Sequence, residues 1–204
     1  MCSFSHNHIL GHACFKNDPR FGINVIDVKL LEEKEGSRDT DFVAKQGDED
    51  PDFFYDKEKN KWYMAICRYD SEAENGHYSY FLFESDKPFE GYSFVSKTSK
   101  DEVTGGSFIK TGGRRFFSCG ANFAVRAQYN FYEFPDFTKP YPIKCDFDDG
   151  GFRGWGTVIP VPCGTRTKYM WITFDRHNGS EIYNWSYGNI YVYEAEEMNP
   201  GYEW

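Results

Sequence analysis

Four acids and one proline run into three aromatics in Asp48-Glu49-Asp50-Pro51-Asp52-Phe53-Phe54-Tyr55. Carboxyls crowded together and partly buried repel one another, so one stays protonated while a neighbour ionises. A split pair of that kind can serve as general acid and general base. The residue before a proline is biased to extended backbone, so Asp50 suits a strand entrance. Acids beside a buried aromatic strand need a reason to be there. Asp50 and Asp52 are therefore candidate catalytic carboxyls, with a solvated turn as the competing reading.

Other polar groups sort around that pair. Arg68 and Asp70 close one aromatic run, and Asp175-Arg176-His177 stands in the matching place of another. An arginine fork takes a carboxylate bidentately, so Arg68, Arg153 and Arg176 are candidates to clamp one of these acids. A structural salt bridge is the alternative role for Arg68 and Arg176. Trp155 stands between Gly154 and Gly156. Glycines allow close approach, and the indole is a platform for a sugar face or a piece of core. Asp175 and His177 complete the candidate substrate-binding set. His6, His8 and His12 share strand parity and could hold a metal, but no carboxylate adjoins them in sequence. No metal and no cofactor is expected.

The elements that position these groups repeat. Phe83-Glu84, Tyr132-Glu133 and Tyr193-Glu194 each end an aromatic run, and a Tyr follows after a polar turn at Tyr92, Tyr141 and Tyr202. Upstream, Lys61-Trp62-Tyr63, Arg115-Phe116-Phe117 and Lys168-Tyr169-Met170 each put a base ahead of an aromatic run. Shorter runs precede them at Phe53-Phe54-Tyr55, Ser107-Phe108-Ile109 and Thr157-Val158-Ile159, across turns such as Thr111-Gly112-Gly113. Four antiparallel strands at a period of about 50 to 60 residues are the signature of a propeller blade. The expected fold is an all-β propeller in one domain, 1–204, with blades at 48–98, 102–146 and 153–204. Residues 1–45 read as a half-blade whose two outer strands, Asn7 to Phe15 and Ile23 to Leu31, lack an inner pair. Glu84, Glu133 and Glu194 should mark equivalent places on the third strands and take no part in chemistry.

The stretch Asp50-Pro51-Asp52-Phe53-Phe54-Tyr55-Asp56, a turn, then Lys61-Trp62-Tyr63-Met64 resembles the blade opening of five-bladed propeller glycoside hydrolases of families 43, 32 and 117. Thr104-Gly105-Gly106-Ser107-Phe108-Ile109-Lys110 and Gly154-Trp155-Gly156-Thr157-Val158-Ile159-Pro160 resemble the next two openings. The resemblance covers residues 48–204. It implies a funnel lined by inner strands, an Asp as base or nucleophile, a Glu as general acid, and an Asp that tunes the acid. The tuning Asp maps to Asp50. The acid usually opens the following blade in a Glu-Gly-Pro motif, where this chain has Gly105-Gly106 and its nearest Glu is Glu102. The base belongs to a first-blade inner strand. Glycoside hydrolysis is the expected activity, and a non-catalytic carbohydrate-binding or relic propeller is the alternative.

A net charge of -9 with interleaved signs repels phosphate backbones, so nucleic acid is not expected as a partner. No apolar run is long enough to span a membrane. The opening residues lack the pattern of a secretory signal, which leaves a cytosolic chain or one whose signal lies elsewhere. Six cysteines show no zinc spacing, and Cys67 and Cys119 read as buried hydrophobes. The expected partners are an oligosaccharide or glycoside, and a second copy or another segment that completes the ring.

Overall fold

A fifth of the residues are aromatic, and Gly, Asn and Asp punctuate them at turns. That composition favours strands joined by tight hairpins. The structure, a computed structural model, describes residues 2–6, 9–15, 25–30, 47–73, 78–99, 103–111, 113–121, 128–144, 156–176 and 187–195. All of its regular elements are strands, paired antiparallel in four sheets that follow one another along the chain. Sheet I holds β1 (Cys2–His6), β2 (Ile9–Phe15) and β3 (Val25–Leu30). Sheet II holds β4 (Glu49–Asp56), β5 (Lys61–Tyr69), β6 (Tyr78–Ser85) and β7 (Ser93–Lys97). Sheet III holds β8 (Val103–Thr111), β9 (Arg114–Ala121), β10 (Gln128–Glu133) and β11 (Pro140–Lys144). Sheet IV holds β12 (Gly156–Cys163), β13 (Arg166–Arg176) and β14 (Tyr187–Ala195). The all-β expectation holds.

One expectation is corrected. Sheet I does not lack a first strand: β1 pairs with β2 and lies against β4, as β4 lies against β8 and β8 against β12. β1 escaped notice because its five residues contain a single large apolar side chain, Phe4. It lacks the aromatic density that marks the other openings. The strand that would begin at Tyr202 lies outside the described residues.

The register makes the repeat explicit. Tyr63 faces Glu84, Phe116 faces Glu133, and Met170 faces Glu194. In each sheet a base two residues earlier on the second strand reaches that Glu diagonally. Lys61 lies 3.7 Å from Glu84, Arg114 lies 2.6 Å from Glu133, and Lys168 pairs with Glu194. Such half-exposed diagonal pairs are worth about 0.2–1 kcal/mol each. They fix register more than they add stability.

Alternation along each strand gives every sheet two faces, one toward the preceding sheet and one toward the following sheet. We call these near and far. The far face of sheet II carries Tyr63, Ala65, Cys67, Tyr80 and Leu82, and it packs with Phe117, Cys119 and Tyr132 of sheet III in one buried cluster. The far face of sheet III carries Ile109, Phe116, Tyr129 and Phe131, and it packs on Val158 and Tyr169 of sheet IV. Cys67 and Cys119 are fully buried, as expected.

One contact recurs at both seams. Tyr80 stacks edge-on against Phe117 at 4.7 Å, and its hydroxyl oxygen accepts the Gly106 N–H at 2.6 Å. Tyr129 holds the same register in sheet III. It lies 4.9 Å from Trp171 and donates its hydroxyl to the Gly156 carbonyl at 2.6 Å. Gly106 and Gly156 are themselves equivalent, three residues before Ile109 and Ile159, which face Phe116 and Met170. A Cβ on Gly106 would sit 2.2 Å from the Phe117 ring, and one on Gly156 would sit 2.2 Å from the Trp171 indole nitrogen. Only glycine lets the tyrosine, the ring and the strand meet. Gly106→Ala should therefore destabilise the chain by about 1–3 kcal/mol, the usual range for overpacking. A denaturant midpoint unchanged from the parent would show that the seam relaxes freely.

Candidate functional site

The first strands of sheets II and III carry the same irregularity. β4 slips register between Glu49 and Asp52, and β8 slips between Thr104 and Ser107. Both slips are bulges with a left-handed residue at the same place, Asp50 at φ 48° and Gly105 at φ 60°. Bulges bend a strand and re-aim its side chains, and they gather beside functional sites. Glycine takes this conformation freely. Aspartate is among the few other residues that do, at a cost of about 1 kcal/mol or more.

These openings converge on a cleft of about 520 Å3. Asp50, Pro51 and Asp52 form one wall, and Gly105, Gly106 and Ser107 form the next. Gly156 and Thr157 of β12 form a third, and Ile172, Thr173 and Ile190 complete it. By register, Asp52, Ser107 and Thr157 are equivalent, each two residues before the residue that faces Tyr63, Phe116 or Met170. The lining combines oxygen-bearing side chains with aliphatic ones.

Both candidate aspartates on β4 therefore reach the cleft, and both are also tied to β8. Asp52 Oδ2 accepts the Phe108 N–H at 2.7 Å, and Asp52 Oδ1 accepts the N–H of Phe53 at 2.9 Å. Asp50 Oδ2 accepts a longer bond of 3.3 Å from the Gly105 N–H. β8 is an edge strand of its sheet, and these carboxylates satisfy amides that would otherwise face the seam unbonded. Burial pushes the Asp52 carboxyl above its ordinary value, and the two amide bonds offset only part of that rise. Ser107 stands where sheet II has Asp52, but its buried Oγ has no hydrogen-bond partner among the described residues.

Arg68 serves a different acid from the one expected. It forms a fork with Asp48, Nε to Oδ1 and Nη2 to Oδ2, both at 2.6 Å. The Asp48 side chain is fully buried and that of Arg68 is 11% exposed. The guanidinium also lies 5.7 Å from the centroids of Phe81 and Phe83. Neither Arg68 nor Asp48 lines the cleft. Glu102, Arg153, Trp155 and His177 lie outside the described residues, as do the side chains of Asp175 and Arg176 at the end of β13. The side chains of His6 and His12 fall outside them as well. No group of three or more metal-binding side chains occurs among the described residues. Sequence reasoning passed over Tyr80 and Ser107. The signal for Tyr80 was present, since Tyr80 and Tyr129 each stand four residues before a marker Glu.

A scan against known protein families finds no match for this chain, and a search of curated proteins finds none either.

Two outcomes follow from this geometry. Arg68→Ala removes the fork from the buried Asp48 carboxylate and should cost about 3–5 kcal/mol in urea unfolding; a loss below about 1 kcal/mol, the worth of a surface pair, would show that the fork carries little. Asp52 sets a pH dependence. Its folded pKa is raised, so the folded chain holds this proton more tightly than the unfolded one. The stability it contributes is complete below the ordinary carboxyl value of 3.8 and is lost as pH rises through the folded value. The stability of the parent relative to Asp52→Asn should fall as pH climbs above that value. A difference that grows with pH would overturn the assignment.

Proposed function

We propose that the four sheets are successive blades of a β-propeller of the glycoside hydrolase type, and that the cleft is its funnel, taking an oligosaccharide or glycoside. One observation carries the reading. Register-equivalent openings of three consecutive sheets deliver their residues to a single cleft, with two aspartates on one wall. Sugar hydroxyls would donate to Asp50 and Asp52 and exchange bonds with Thr157. An apolar ring face would rest on Pro51. A carboxyl raised by burial suits a general acid, which protonates the leaving oxygen as the glycosidic bond breaks and water adds to the anomeric carbon. Asp52 fits that role, with Asp50 as the second carboxyl.

A second reading, carbohydrate binding without turnover, is favoured by a specific observation. Both Asp52 oxygens already accept backbone N–H groups. A carboxyl held that way is well placed to orient a ligand and poorly placed to pass a proton.

Calorimetry with neutral oligosaccharides and reducing-sugar release from the same panel separate the two. Binding with turnover that Asp52→Asn cuts by about 100-fold or more supports hydrolysis. Binding without turnover, weakened about 10-fold or more by Asp50→Asn, supports the binding site. A chain that binds none of these sugars, or binds them equally well without Asp50 and Asp52, sinks the carbohydrate reading.

A further inference from the structure

The seams between sheets II, III and IV follow one rule, and the far face of sheet IV breaks it. By register, Ile159 stands where the other sheets have Phe54 and Ile109. Ile190 stands where they have Tyr80 and Tyr129, and Val192 where they have Leu82 and Phe131. In sheets II and III the third-strand residues are at most 3% exposed. In sheet IV, Ile190 is 75% exposed, Val192 55% and Ile159 42%. A strip that its own repeat buries elsewhere is here open to water. Contiguous exposed apolar surface of this kind marks an interaction site.

Its chemistry narrows the occupant. A further sheet docked by the rule would bring in an edge strand with outward N–H and C=O groups. At sheet II, Tyr80 and Asp52 satisfy two of those amides. At sheet III, the Tyr129 hydroxyl meets the strand through Gly156. Sheet IV offers Ile190 in the tyrosine's place, and an isoleucine can bond no strand edge. A strand edge buried against it would lack the tyrosine bond that both described seams carry. The face instead suits a mostly aliphatic sheet face that brings no strand edge of its own. At its rim lie Lys168 and Glu194, paired and each about half exposed. A second copy of the chain supplies both features, the aliphatic strip and a matching rim of opposite charges.

We propose that the far face of sheet IV is a dimer interface, packed on the same face of a second copy about a two-fold axis. A two-fold contact brings a patch onto itself, so one aliphatic strip covers the other. Lys168 of each copy then lies near the facing rim and can exchange Glu194 partners. Ile172 and Ile190 belong to this face and also line the cleft, so the dimer seam runs along the cleft's open side. The inference stands on the sheet equivalences and holds whatever the cleft binds.

Sedimentation equilibrium of the full chain across the micromolar range tests it. The chain should form a dimer and nothing larger. The pair Val192→Lys and Ile159→Lys, which avoids the cleft, should raise the dissociation constant at least about 100-fold. Circular dichroism and the thermal melt of the monomer should be unchanged, since both side chains are exposed. Phe94→Lys, at another exposed site on β7, should leave the dimer intact. A monomer throughout, a dimer indifferent to the double substitution, or growth beyond the dimer as head-to-tail stacking would produce, each overturns the proposal.

Discussion

A tyrosine hydroxyl bonded to the main chain of a glycine in the next sheet is the contact from which the rest of the molecule follows. An antiparallel meander leaves the outward amides and carbonyls of its first strand unbonded. Sheets stacked face to face bury that edge, where an unbonded polar group is costly. The tyrosine of the preceding sheet resolves the conflict in one side chain. Its ring fills the seam and its hydroxyl bonds the strand. The glycine is forced by the same geometry, because the aromatic of the second strand lies over it at a distance no Cβ tolerates. The second glycine of the β8 opening, Gly106, is thus a consequence of that contact.

The same requirement explains why the candidate carboxylates stand where they do. Asp50 and Asp52 answer two more amides of β8. They are structural members of the seam as well as walls of the cleft. A site made this way is rigid, since its polar groups are held by main chain rather than by mobile side chains. The cost is that its acids are partly committed before any ligand arrives. That tension is visible in Asp52, whose burial and amide bonds push its proton affinity in opposite directions.

Much of this was legible in the sequence. The marker glutamates and the short openings at Phe53, Phe108 and Val158 fall on the strands expected of them, because aromatic runs bounded by turn residues have few other ways to fold. The base in register with Lys61 and Lys168 is Arg114, not the expected Arg115. Asp50 and Asp52 stood out as acids crowded beside an aromatic strand, but the extended backbone expected of Asp50 ahead of Pro51 is replaced by a left-handed one at φ 48°, because Asp50 sits in the bulge. The partner of Arg68 was not legible. The bulge between Glu49 and Asp52 moves the residue opposite Arg68 from Glu49 to Asp48, and neither register puts Asp50 or Asp52 there. β1 was hidden for a different reason: five small or polar-rich residues carry too little pattern to be read, and only pairing with β2 and contact with β4 define the strand.

Because each described seam joins only neighbours in chain order, cohesion in sheets II to IV is close to a one-dimensional sum of links. Links of unequal strength do not break together. The joint between sheets II and III has a tyrosine, two aspartates and the Asp56–Arg115 ion pair, with oxygen and nitrogen 2.7 Å apart. Among the described residues, the joint between III and IV has one tyrosine bond to the main chain and an apolar cluster, with no ion pair across it. On those contacts the last sheet would open before the others, at the wall the cleft shares. Amide exchange in β12 would proceed through local opening, well below the free energy that melts β5, and the cavity would gain an entrance without the fold being lost.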